Sequence, residues 1–240
     1  MTIQNPYHTL GPQLKTALDY IIANMPLSPS FDNLNNTLYD ALFGNNPPSD
    51  SLAIVYAKSV LPMVYNSYIV HSGVTSSVVE KLQTIDNVPR FAAAAQYNQY
   101  SDKQYAIIYH LLKAISTTPT ESIPQLLITT DEKIAGSGLT LAEQTPLFVA
   151  TALGKAVYEY WLLNIPQPSA WAAYLVNPGI TPQAMDALNY NNVSNWVSAA
   201  MQGALLGWGS INLPKLDFVD MTAANLGAIG MAAGKVVFKW

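Results

Sequence analysis

One stretch constrains this chain more than any other: Leu139 to Leu163, reading LTLAEQTPLFVATALGKAVYEYWLL. It opens with a capping box. The Thr140 hydroxyl can accept from the Glu143 backbone N–H, while the Glu143 carboxylate reaches back to the N–H of Thr140. Beyond it Leu147, Ala150, Gly154, Val157 and Trp161 recur at helical spacing, with Val149, Leu153, Ala156 and Tyr160 in a second row beside them. Two adjacent apolar rows are too wide for a helix with one face in water, so the stretch reads as the central helix of a bundle. Pro146 deletes one backbone bond inside the pattern and predicts a kink near Ala142. The alternative is a fresh helix capped by Thr145, with Pro146 at its first position.

The flanking sequence is helical in pattern too. Pro12 opens a helix with Leu14, Ala17, Leu18 and Ile21 on one face; Ser30 caps another that stops at Gly44. Leu52 to Val70 is strongly apolar and interrupted by Pro62, and Ser77 with Glu80 boxes a short helix to Ile85. A further helix is expected from Pro89, then one boxed by Ser101 and Gln104, and one from Pro124 to Gly136. Past the central helix, Thr181 and Pro182 start one helix, and Asn192 starts another that reaches Leu206. No β-hairpin signal stands out. The expected fold is all-α, a single multi-helix bundle. Its domain would span 1–216, with the small-residue-rich segment 217–240 packed on it.

Composition excludes several functions. Only 11% of the residues are charged, the net charge is −4, and Arg90 is the sole arginine, so no basic stripe exists to follow nucleic-acid phosphates. The cysteine count of 0 removes disulfides, thiolate chemistry and thiolate-bound metals. The histidines His8, His71 and His110 have no second ligand at helical metal spacing, so neither a metal nor a cofactor is expected. Ser137 and Ser210 lie in glycine turns that lack the nucleophile-elbow pattern and read as helix stops. No uninterrupted apolar run approaches about 18 residues. The opening MTIQNPYHTLGPQLK has no basic flank followed by an apolar run, so no signal peptide is read there, and an exported form implies a leader removed upstream.

Three segments, NPYHTLGPQLKTALDY, DEKIAGSGLTLAEQTPLFVATALGKAVYEYW and DFVDMTAANLGAIGMAAG, span most of the chain. Together they resemble a family of functionally uncharacterised, exported helical proteins found largely in Bacteroidetes. The resemblance implies a helical fold and a place outside the cytoplasm, and it carries over no catalytic residue to this chain. This chain departs from it at Leu14 and Lys15, where relatives often carry a His-Asn pair.

The residues left to carry function are few. The chain has 14 tyrosines and 5 tryptophans, and Trp161, Trp171, Tyr174 and Tyr158 can either line a groove for a ligand or partner or fill the core. Glu159 lies one turn after Lys155: if buried it can act as acid or base, and if exposed it forms a helical ion pair with that lysine. Gly203 and Gly207, Ala223 and Gly227, and Gly230 and Gly234 are spaced for close helix approach, in a bilayer or in a soluble pair. Lys235 and Lys239 argue against a full span. The leading expectation is a non-enzymatic, extracytoplasmic binding or assembly domain that meets a protein partner or itself. One alternative is a membrane-active, bacteriocin- or toxin-related protein that contacts a membrane through its glycine-rich C-terminus. The other is an enzyme built from Glu159, His110 and tyrosines.

Overall fold

The computed structural model describes residues 3–44, 47, 51–72, 84–85, 88–89, 100–165, 170–175, 182–208 and 217–238. It is an all-α bundle. The helices are α1 (Leu10–Asn24), α2 (Phe31–Phe43), α3 (Ser51–Ser72), α4 (Asp102–Thr117), α5 (Ile123–Ala135), α6 (Leu141–Asn164), α7 (Ala172–Leu175), α8 (Pro182–Trp208) and α9 (Asp217–Val237).

Helix starts follow the capping chemistry. The boxes of Ser30 with Asn33, Ser101 with Gln104 and Thr140 with Glu143 are all made, so each satisfies two donors that a bare helix end would leave unpaired. The Gln104 side chain also donates to the Glu143 carbonyl at 2.8 Å, which ties the start of α4 to the start of α6. Between α5 and α6 the chain reverses through Gly138, whose φ of 70° suits a residue without a Cβ. Ser137 holds that turn, donating to the Ile134 carbonyl at 2.6 Å and accepting from the Leu139 N–H at 3.2 Å. α6 runs through Pro146 as one helix capped by Thr140, so Thr145 caps nothing. The carbonyl of Ala142, which Pro146 cannot serve, belongs to an exposed residue and is open to water.

Three expectations need correction. Thr84–Ile85 pairs antiparallel with Val88–Pro89, so the helix expected to reach Ile85 and the one expected to start at Pro89 do not hold there; 73–83 and 90–99 lie outside the described residues. β-branched Thr84, Ile85 and Val88 favour a pleated strand, and they flank Asp86-Asn87, residue types that suit a turn. The two helices expected from Pro182 and from Asn192 are one continuous α8. Asn191 and Asn192 are exposed, while Val193, Trp196, Val197 and Ala200 stay buried, and that burial outweighs the modest helix propensity of asparagine.

α6 sits at the centre, with every residue from Pro146 to Gly154 buried. On one side Gly154 lets α8 approach: a Cβ there would lie 2.7 Å from the Met201 side chain. α8 in turn packs against α9, antiparallel, at the paired contacts of Gly203 with Gly227 and Gly207 with Ala223. A Cβ at Gly203 would drive into the Gly227 carbonyl oxygen, and one at Gly227 into the Gly203 carbonyl oxygen. Every residue from Ala223 to Gly234 is buried, so α9 is an inner helix; Leu226, Ile229 and Val236 belong to the core. Among the described residues no helix is long and apolar enough to cross a membrane.

The glycine contacts give a direct test. Gly203→Ala should cost about 1–3 kcal/mol in urea unfolding, because backbone, unlike a flexible side chain, cannot move aside. Gly136→Ala, whose new Cβ would sit at an ordinary 3.4 Å from the Glu132 carbonyl, should shift stability by less than about 1 kcal/mol. Equal effects of the two changes would show that the α8–α9 contact is looser than described.

Candidate functional site

The site grows from a polar stripe on the central helix. Thr151, Lys155 and Glu159 recur every four residues on α6 and so share one face. Opposite that face stand α1, α5 and the segment before α1, and a cleft of about 530 Å³ lies between them. Its polar lining is Gln4, Asn5, His8, Lys15, Asp131 and the three stripe residues.

Asn5 fastens the leading segment to the two helices. Its side-chain N–H group points at both Asp131 oxygens (3.1 and 3.2 Å), the Phe148 carbonyl (2.9 Å) and the Thr151 hydroxyl (2.9 Å). Two hydrogens face four acceptors, so the bonds are shared. The Asn5 side-chain oxygen accepts from the Tyr7 N–H at 2.9 Å, an Asx turn that Pro6 stiffens. Thr151 relays the arrangement, accepting from Asn5 and donating to Asp131 at 2.5 Å. The Tyr7 hydroxyl donates to Thr145 at 3.3 Å and holds the segment along α6.

Asp131 is the buried carboxyl of the cleft. Burial raises its pKa above the ordinary 3.8, while hydrogen bonds from Thr151 and Asn5 and the charge of Lys155 pull the other way. It stands in the core-facing row Ile123, Leu127, Asp131, at a position where an apolar residue fits the helix pattern. That was the readable signal. A carboxylate in such a row requires partners, and the threonine twenty positions on provides one.

Glu159 is paired, with a different lysine from the one its spacing suggested. Lys15 Nζ on α1 reaches Glu159 Oε2 at 2.7 Å, with both side chains partly exposed, at 34% and 45%. α1 runs parallel to α6, which brings Lys15 closer to Glu159 than its own-helix neighbour Lys155. Among the described residues Lys155 has no ion-pair partner. His110 is exposed on α4 beside Tyr109 and does not line the cleft. His8 is exposed, its Nδ1 2.9 Å from the Asn5 carbonyl. The side chain of His71 and all of Ser210 lie outside the described residues. Among the described residues no cluster of three or more His, Asp or Glu side chains can hold a metal.

The aromatic residues gather elsewhere, inside the protein. Trp161 and Trp171 are fully buried and meet edge to face at 4.9 Å, and Trp196 packs on Trp161 at the same distance. Trp171 Nε1 donates to the Tyr160 hydroxyl at 2.8 Å, which donates to Asp19 at 2.8 Å and so locks α1 to α6. Burial and Asp19 hold the Tyr160 phenol well above its usual pKa. Half-buried Tyr174 donates to the Pro26 carbonyl at 2.8 Å, and Tyr158 is buried, each with its phenol pushed up chiefly by burial. None of these four sequence-predicted residues, Trp161, Trp171, Tyr174 or Tyr158, lines the cleft; of the five, only Glu159 does.

Two expected outcomes distinguish the clasp from the ion pair. Asn5→Ala leaves Asp131 and Thr151 short of a donor in a buried place and should cost about 1–3 kcal/mol. Glu159→Gln removes a half-exposed, solvent-screened pair and should cost under about 1 kcal/mol. Urea unfolding measures both, and a reversed order would contradict the burial of the clasp.

The Asp131 carboxyl also sets a pH dependence. With its folded pKa raised, the folded state holds the proton more tightly than the unfolded chain does. Stability therefore falls as pH rises from the ordinary carboxylate value through the folded one, and the penalty is absent below that window. Relative to wild type, Asp131→Asn should gain stability as the buffer moves from about pH 3.5 to about pH 7. A difference that stays flat, or moves the other way, would show that Asp131 is not desolvated.

Comparison with family models, with curated proteins and with solved structures found no match to this chain.

Proposed function

We propose that this chain is a non-catalytic helical binding domain that works outside the cytoplasm and takes a small ligand in the cleft between its leading segment, α1, α5 and α6. The observation that carries the reading is the clasp. Asn5 fixes the cleft's outer wall to two helices at once, so the concavity is pre-formed, and its volume lies in the range of small-molecule sites. The low charge and the resemblance to exported helical proteins support the location.

Catalysis finds less support. Asp131 is engaged by Asn5 and Thr151, and Glu159 by Lys15, so neither carboxyl described in the cleft is left free to act with a partner base or nucleophile. A membrane role for the C-terminus would require α9 to leave the core, where twelve consecutive residues from Ala223 to Gly234 are buried. Assembly with a partner protein or self-association has Leu27, Leu141 and Leu163 to recommend it, each more than 70% exposed. Leu141 and Leu163 stand at opposite ends of α6 and Leu27 lies between α1 and α2, and singly exposed leucines are ordinary.

Native mass spectrometry after incubation with a mixed metabolite library tests the reading. The folded wild type should carry small-molecule adducts that Ala152→Leu, which fills the cleft, does not. Adducts of equal intensity on the two proteins, or none on either, would remove the cleft as the working site.

A further inference from the structure

Small and apolar residues make up much of the cleft's lining. Gly11 on α1 packs closely on Ala156 of α6, where a Cβ on the glycine would lie 3.3 Å from the alanine Cβ. Ala152, one turn earlier on α6, lines the cleft beside them, and Ile3, Pro12, Leu127 and Ile128 complete apolar walls. A ligand that fills this space thus needs an apolar body.

Its polar requirement follows from which groups in the cleft are already committed. Asp131 and Thr151 are held by Asn5, and Glu159 is held by Lys15. The His8 ring meets the Asn5 carbonyl and the Gln4 side chain. Lys155 remains, at the centre of the α6 stripe and exposed; its charge acts on Asp131, but it makes no contact ion pair among the described residues. An exposed ammonium at the edge of apolar walls favours an anion among polar ligands. One lysine matches one negative charge. A dianion such as a phosphate monoester would set its second charge near Asp131, where like charges repel.

Resting on the reading of this cleft as the binding site, we propose that its ligand is a small organic monoacid with an apolar tail. The carboxylate pairs with the Lys155 ammonium, and the tail lies against Ile3, Pro12, Leu127 and Ala152. The leading segment is part of this site, since Ile3 stands on it and Asn5 holds it in place.

Hexanoate, hexylammonium and hexanol are suitable probes, since they share a tail and differ in head group. Titration calorimetry on the full chain should show hexanoate binding to wild type more tightly than either of the others. Lys155→Met should weaken hexanoate by about tenfold or more, while Lys133→Met, exposed on α5 away from the cleft, should leave it unchanged. Ala152→Leu should abolish it. Circular dichroism on each variant checks folding, and the Lys155→Met comparison stands even if Ala152→Leu fails to fold.

Hexanoate affinity unchanged in Lys155→Met, or no binding of hexanoate at all, would overturn the proposal. Hexanol or hexylammonium binding as tightly as hexanoate, and lost in Ala152→Leu, would overturn the acid class while leaving the cleft a binding site. Hexanoate binding that a folded Ala152→Leu retains would overturn both.

Discussion

α6 has almost no face to spare for water, and that constraint organises the rest of the molecule. A helix buried on nearly every side must be matched by neighbours that bring apolar or very small surfaces to it. α8 does so by inserting Met201 and Val197 where Gly154 has no side chain. α9 then covers α8 at backbone contact, which is possible only because Gly203 and Gly227 meet without a Cβ between them. α1 does so with Leu14, Leu18 and Ile21, all fully buried, and is locked in place by the Trp171–Tyr160–Asp19 chain. α9 reaches beyond α8 as well, packing on α1, α2, α3 and α6.

The same constraint determines where polar chemistry can sit. With its other faces covered by apolar packing, the middle of α6 from Pro146 to Glu159 keeps its polar side chains, Tyr158 aside, on the stripe Thr151, Lys155 and Glu159. Whatever packs over that stripe must either answer those groups or leave a gap. Both happen. Asn5 answers Thr151 and Asp131, Lys15 answers Glu159, and a gap remains, lined in part by the small residues Gly11, Ala152 and Ala156. The cleft is therefore a consequence of how a nearly all-buried helix disposes of its few polar side chains.

The helices were legible because their signals are local. Thr140 with Glu143, Ser101 with Gln104, and Ser30 each announce a helix start within four residues, and the apolar rows of the central helix name its buried faces. The site was not legible, since its parts lie far apart along the chain. Asn5 meets residues more than 120 positions away, and nothing near Asn5 names them. Glu159 shows the limit most clearly. Spacing offers Lys155 as its partner, but a parallel neighbouring helix presents Lys15, and helix direction cannot be read from periodicity. The aromatic residues stayed ambiguous for a related reason. A ring with a polar edge suits a groove and a core equally, and the choice depends on whether a buried partner such as Asp19 or Tyr160 is within reach.

The change of partner at Glu159 has a further consequence for the cleft. Had Glu159 paired with Lys155, the stripe would have neutralised itself within one helix, and the charge on α1 would have been left at Lys15. Because Lys15 crosses from α1 to take Glu159, the ion pair bridges two walls of the cleft, and the ammonium without an ion-pair contact among the described residues lies on α6, with Asp131 the carboxyl its charge acts on. An exposed bridge of this kind contributes little to stability, so its main effect is on where the charge is left. It leaves Lys155 exposed on the buried middle of α6, beside the small residues that line the cleft.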